Sequence, residues 1–222
     1  MKKLNTYYFM QKEIMVKEKV LVAGANGTTG RLVVNQLRDS KQYQPIAMIR
    51  KEEQEDYFEQ QNVTSILGDL EKDISHVVEG VDKVVFAAGS GGRKVVEVDQ
   101  NGAKKLIDES DKKNIKKFVM LSSIGADKPS VSDDLEDYLK AKQNADQYLR
   151  NCDINYTIVR PGLLTDENGS GKIELKEKLN KFGEISRENV AQTLVEVLDD
   201  DKKNNDTFEI IDGETPLTEA IN

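Results

Sequence analysis

The 222-residue sequence predicts an α/β protein with a doubly wound, mainly parallel sheet of about seven strands and helices on both faces. Three observations lead there. Short β-branched runs alternate with amphipathic stretches from Lys19 to the C-terminal region. Most of those runs are apolar throughout, as strands covered on both faces require. The first run bends through three glycines directly into the first amphipathic stretch.

The predicted strands are residues 19–23, 45–50, 63–67, 83–88, 117–122, 155–160 and 207–211. The predicted helices are residues 28–40, 99–114, 133–151 and 186–200. The first places Val33, Val34 and Leu37 on one side, and the second Ala103, Leu106 and Ile107. The third carries Leu135, Leu139 and Leu149 among charges. The fourth carries Val190, Leu194, Val197 and Leu198, with Ser186 as its N-cap. Alternation of this kind implies right-handed βαβ units. The length suits one domain, residues 19–222, with a small substrate region over about 161–222. Residues 1–18 read as an extension in front of it. Gln11, Lys12 and Glu13 interrupt any apolar stretch there, so no signal peptide is expected.

A formal charge of -8 disfavours nucleic acid and anionic membrane as partners. No apolar run approaches the roughly 18 residues of a spanning helix. A single cysteine, Cys152, allows no internal disulfide and reads as a structural residue, so a cytoplasmic location is expected. His76 is the one histidine and reads as a surface or boundary residue, so no metal site is expected. The expected partner is a small-molecule substrate, and monomer and homodimer both stay open.

The segment carrying chemistry runs from Val20 to Val33, with glycines at 24, 27 and 30. Gly24 permits the tight turn, Gly27 lets a pyrophosphate approach the backbone, and Gly30 lets helix and strand pack closely. Asn26, Thr28 and Thr29 complete the turn. Its amides and the helix dipole favour an anion. The spacing is GxxGxxG rather than GxGxxG, and the strand–turn–helix context supplies what the glycines alone lack. A Rossmann-type dinucleotide site is expected. Twenty residues past Gly30 lies Arg50, where an acidic residue would favour NAD(H). A guanidinium there suits a 2′-phosphate, with Arg31 in support, so NADP(H) is favoured over NAD(H). The competing reading pairs Arg50 with Glu52 or Glu53.

Gly24–Gly30, Ala87-Ala88-Gly89, Phe118 to Ser123, Tyr138-x-x-x-Lys142 and Val159-Arg160-Pro161-Gly162 occur in that order. Together they resemble the atypical short-chain dehydrogenase/reductase group of NAD(P)H-binding proteins, which is similar to biliverdin/flavin reductases and to sugar epimerases. The resemblance covers about residues 19–215. It implies that Asp69, with Leu70, sits beside the adenine and that Ala87, Ala88 and Gly89 line the dinucleotide. It implies that Ser122 and Ser123 end a strand beside the nicotinamide and that Pro161 and Gly162 close over it. Tyr138 and Lys142 are one helical turn apart. A phenol is a poor acid at neutral pH, and a neighbouring ammonium favours its ionised form. Tyr138 then serves as proton donor and Ser123, with Ser122 as alternative, as hydrogen-bond donor to the same substrate oxygen. Lys142 also reaches the nicotinamide ribose. A Tyr-x-x-x-Lys match also arises by chance, and its place after Ser123 is what raises it. Asn101 is a loose candidate for a further site asparagine.

The expected function is an NADPH-dependent oxidoreductase acting on a small substrate. An NADP(H)-sensing regulator without turnover is the alternative. A nucleotide-sugar epimerase or dehydratase ranks last, because the insertion at about 163–184 is short for a substrate lobe.

Overall fold

The computed structural model describes residues 16–222. The predicted extension, residues 1–18, lies almost wholly outside that range. Seven strands appear where the apolar runs predict them: β1 (Glu18–Ala23), β2 (Tyr43–Ile49), β3 (Thr64–Leu67), β4 (Lys83–Phe86), β5 (Lys117–Leu121), β6 (Tyr156–Pro161) and, later in the chain, β10 (Asp206–Asp212). Four more fall in the stretch read as a charged insertion and near the C-terminus. These are β7 (Leu163–Thr165), β8 (Lys172–Lys176), β9 (Glu184–Ser186) and β11 (Thr215–Pro216).

The main sheet therefore has nine strands, not about seven, in the order β11-β8-β10-β6-β5-β4-β1-β2-β3. From β3 to β10 all pairings are parallel, whereas β8 runs antiparallel to β10 and β11. Strands β7 and β9 form a separate parallel pair. Strand β8 escaped the sequence reading because Lys172, Glu174 and Lys176 alternate with Ile173 and Leu175. That is the pattern of a strand near a sheet edge, half solvated, and not of a covered one.

The helices are α1 (Thr28–Asp39), α2 (Glu55–Glu59), α3 (Ala103–Lys112), α4 (Glu136–Arg150), α5 (Arg187–Glu196) and α6 (Leu217–Ile221). Alternate strand residues face opposite layers. Val20, Val22, Val85, Val119 and Val159 pack with Val33, Val34 and Leu37 of α1 and Val190 and Leu194 of α5. Leu21, Phe86, Phe118, Met120 and Ile158 pack with Leu106 and Ile107 of α3 and Leu149 of α4. Ser186 caps α5, its hydroxyl accepting the Asn189 N–H at 3.1 Å. The expected helix over 99–114 differs: Val95–Gly102 is a π-helical stretch leading into α3.

Two lysines are buried at the amino ends of β4 and β5. Lys83 donates to the Leu198 carbonyl and pairs with Glu18 and Asp200. Lys117 donates to the carbonyls of Asp199 and Lys202. Burial, with Lys83 adding to it, pushes Lys117 down to about 8 from an ordinary value of 10.5. Its burial penalty is full below pH 8 and is relieved as pH rises toward 10.5, because the native state loses that proton first. Tyr43 acts in the opposite sense at higher pH, since burial holds its phenol neutral. Between pH 8 and about 10 the urea midpoint of the wild type is expected to rise relative to Lys117→Met. Midpoints that move in parallel would contradict this.

Candidate functional site

Strand β1 lies between β4 and β2, so the strand order reverses there and leaves a crevice at the carboxyl ends. The glycine turn after β1 and the segment after β4 form its walls. Gly24 has φ +85°, and a Cβ on it would come 2.6 Å from the Ala88 backbone. A Cβ on Gly30 would come 2.1 Å from the Gly24 carbonyl oxygen. These two glycines are required by close backbone approach. Around Gly27 the nearest atom to an added Cβ is the Gly24 oxygen at 3.3 Å, so its outer side is open. The first turn of α1 has no side-chain cap and no acidic residue. Its free amides thus face a bare cradle, and the residues present fit a pyrophosphate.

A cleft of about 310 Å³ follows from the turn, lined by Gly24, Asn26, Gly27, Arg50, Asp69, Leu70, Ala87, Ala88 and Gly89, together with Met48, Gln54, Gly68 and Val98. Nine of the residues assigned to cofactor from sequence therefore converge on one cavity. Thr29 and Gly30 are buried in the packing of α1. Thr28 and Arg31 line a second, neighbouring cleft that shares Asn26. Arg31 donates to Asn26 Oδ1 at 2.7 Å and stacks 3.9 Å from the Tyr57 ring centroid. Its guanidinium is thus held against Asn26 and Tyr57, in the cleft adjoining the one that Arg50 lines. Arg50 is exposed at the rim, its backbone N–H held by Gln54 Oε1 at 2.9 Å. Among the described residues it forms no ion pair with Glu52 or Glu53.

The second group of residues gathers at the carboxyl ends of β5 and β6. Lys142 is buried and donates to the Leu121 carbonyl at 3.2 Å. Its ammonium stands 5.6 Å from the centroid of the half-buried Tyr138 ring and 3.6 Å from Asp99 Oδ1. Ser122 is buried, and its hydroxyl donates to Asp146 Oδ2 at 2.9 Å. Ser123 is half-buried and donates to the Ile124 carbonyl at 3.1 Å. Pro161 accepts from the Ile124 N–H at 3.0 Å. A Cβ on Gly162 would meet the Gly183 oxygen at 2.2 Å. Both therefore tie β6 to neighbouring loops and lie outside the lining of the cleft at the glycine turn.

Two residues of this group, Asp99 and Asp146, were not singled out from sequence, and Arg160 was read only as part of the Val159–Gly162 motif. Asp99 reads as a helix start, yet it is buried beside Lys142 within the π-helical stretch, a distortion frequent at functional sites. Asp146 continues the stripe of Tyr138 and Lys142 on α4 at four-residue spacing. Arg160 meets Asp146 Oδ2 through Nε at 3.0 Å and a terminal nitrogen at 2.8 Å. Burial pushes the Asp146 carboxyl above its ordinary range, against the pull of Arg160. Asn101 is exposed and its Oδ1 accepts from the Gln100 side-chain amide.

His76 is exposed in a short 3₁₀ turn, with Nε2 2.7 Å from the Leu67 carbonyl oxygen. The Cys152 thiol donates to the Tyr148 carbonyl at 3.4 Å, and burial pushes it up, as for an inert thiol. No cluster of metal-ligating side chains occurs among the described residues. No described helix is long and apolar enough to cross a membrane.

Comparison with known proteins agrees with this geometry. The profile of the NAD(P)H-binding family matches residues 24–201. The chain is 36% identical to the uncharacterized sugar epimerase YhfK of Bacillus subtilis, over 91% of this chain and 98% of that protein. A Bacillus halodurans protein with a provisional NAD-dependent epimerase/dehydratase name superposes with a TM-score of 0.86 at 37% identity, covering 90% of this chain and 97% of that one. The oxidoreductase ylbE of Lactococcus lactis superposes with a TM-score of 0.82 at 30% identity, covering 91% and 94%. With the glycine cradle, the crevice at β1 and β4 and a profile match over most of its length, this chain belongs to the NAD(P)H-binding family of Rossmann-fold proteins.

Proposed function

We propose that this protein is an NADPH-dependent oxidoreductase acting on a small substrate. The observation that carries the reading is the Tyr138–Lys142 pair on α4. It is anchored to the last carbonyl of β5, and its lysine pairs with Asp99, which adjoins Gly89 and Val98 in the lining of the glycine-turn cleft. The dinucleotide, when bound, supplies the hydride. Tyr138 gives a proton to the substrate oxygen, Lys142 stands beside its ring, and Ser123 donates a hydrogen bond to the same oxygen. Asp69 and Arg50 flank the adenosine end, where the guanidinium favours a 2′-phosphate.

The name of one similar structure, an oxidoreductase, supports this reading. The epimerase names of others do not favour a sugar substrate here. Residues 163–184 are only 22 long, and they hold β7, the start of β9 and β8, which joins the main sheet.

Titration of NADPH and NADH by nicotinamide fluorescence tests the cofactor assignment. Arg50→Ala is expected to weaken NADPH about ten- to hundredfold, the range of a charge-assisted hydrogen bond, and to leave NADH unchanged. Equal affinities for both nucleotides in wild type and variant would remove the NADPH preference. Failure of both nucleotides to bind at millimolar levels would remove the dinucleotide reading altogether.

A further inference from the structure

Asp99 faces two partners at once. Its side chain is 2% exposed. Oδ2 accepts the Ser90 N–H at 3.0 Å, and Oδ1 lies 3.6 Å from the Lys142 ammonium. Ser90 opens a strap, Ser90–Lys94, that leaves the cleft wall at Gly89. The Ser90 hydroxyl accepts the Lys94 N–H at 3.0 Å. The Lys94 ammonium reaches Glu71 at 2.7 Å, on the loop that carries Asp69 and Leu70. Between these ties Gly91 and Gly92 have φ +62° and +81°, and a Cβ on either would meet nothing within 4 Å. The strap is thus fixed at its ends and free in its middle. Gly89 and Val98, the neighbours of its anchor points, line the cofactor cleft.

A buried carboxylate needs a counter-charge, and a buried ammonium needs an acceptor. Each satisfies the other here. Lys142 otherwise has the Leu121 carbonyl, and Asp99 otherwise has one backbone amide. Moving the strap removes a donor from Asp99, and moving Asp99 removes the partner of Lys142.

We propose that Asp99 is a positioning residue that holds the strap with one oxygen and the Lys142 ammonium with the other, so that cover of the cofactor and placement of the lysine are ordered together. This rests on the dinucleotide reading of the cleft for one of its two readouts only.

The first readout needs no nucleotide. Amide hydrogen exchange at Ser90 is expected to speed up about tenfold or more in Asp99→Ala, as a lost charge-assisted bond implies. It stays slow in the nearly isosteric Asp99→Asn, whose carboxamide oxygen still accepts. Lys142→Met speeds Ser90 exchange at least threefold, because an unpaired buried carboxylate draws in water. The second readout is the fluorescence of bound NADPH. Asp99→Asn lowers its enhancement to the level of Lys142→Met, since the ammonium is no longer held. Ser90 exchange that ignores Asp99→Ala or Lys142→Met overturns the coupling. So does an Asp99→Asn variant with the full wild-type enhancement. If the wild type binds no NADPH, the functional reading fails, and the exchange experiment still decides the coupling.

Discussion

Tyr138→Phe is expected to lower turnover by about 10²–10⁴-fold, the usual contribution of a positioned proton donor, while NADPH affinity stays within about twofold. The phenol oxygen is all that the substitution removes. The ring that faces the Lys142 ammonium is retained, and so is the anchor of Lys142 on the Leu121 carbonyl. The measurement is NADPH oxidation against a panel of quinones, flavins and small carbonyls. Equal rates in both proteins would show that the proton comes from elsewhere. Absence of turnover across a broad panel, with tight NADPH binding, would favour a redox sensor over an enzyme.

The second large effect is on stability. Asp146→Ala is expected to cost about 3–5 kcal/mol, because it leaves the buried Arg160 guanidinium without its carboxylate. For a chain of this size that corresponds to a fall in Tm of about 6–20 °C. The arrangement is unforgiving. Two Arg160 nitrogens and the Ser122 hydroxyl all converge on Oδ2, and Oδ1 has no partner among the described residues. The next carboxylate, Asp127, stands 4.0 Å from Arg160 and is already paired with Lys178. Replacing both members with apolar residues, as in Asp146→Leu with Arg160→Met, is expected to be far milder than Asp146→Ala alone. A loss under about 1 kcal/mol in Asp146→Ala, read by urea unfolding, would show that the pair is relaxed by water.

Local chemistry was legible where it repeats along the chain. The parallel strands β1 to β6 and β10 announced themselves as continuous apolar runs, and α1, α3, α4 and α5 by helical spacing. Nine of the predicted cofactor residues meet in one cleft because they follow three consecutive strand ends and the glycine turn. Strand β8 was illegible because its alternating charges match a loop as well as a half-solvated strand. The side-chain direction of Arg31 was illegible because distance along the chain from the turn does not fix it, and its guanidinium stacks on the Tyr57 ring.

By itself the sequence determined the α/β architecture and the anion cradle at Gly24–Gly30, since periodicity and glycine placement act through neighbours in the chain. Only the tertiary structure decided which charges are internal. Asp99 and Asp146 read as ordinary helix residues in the sequence and Arg160 as one position of a motif, yet each is buried against a charged partner from another element. Burial is what converts a charge into a constraint, because a low-dielectric interior leaves it no partner but the one the fold supplies.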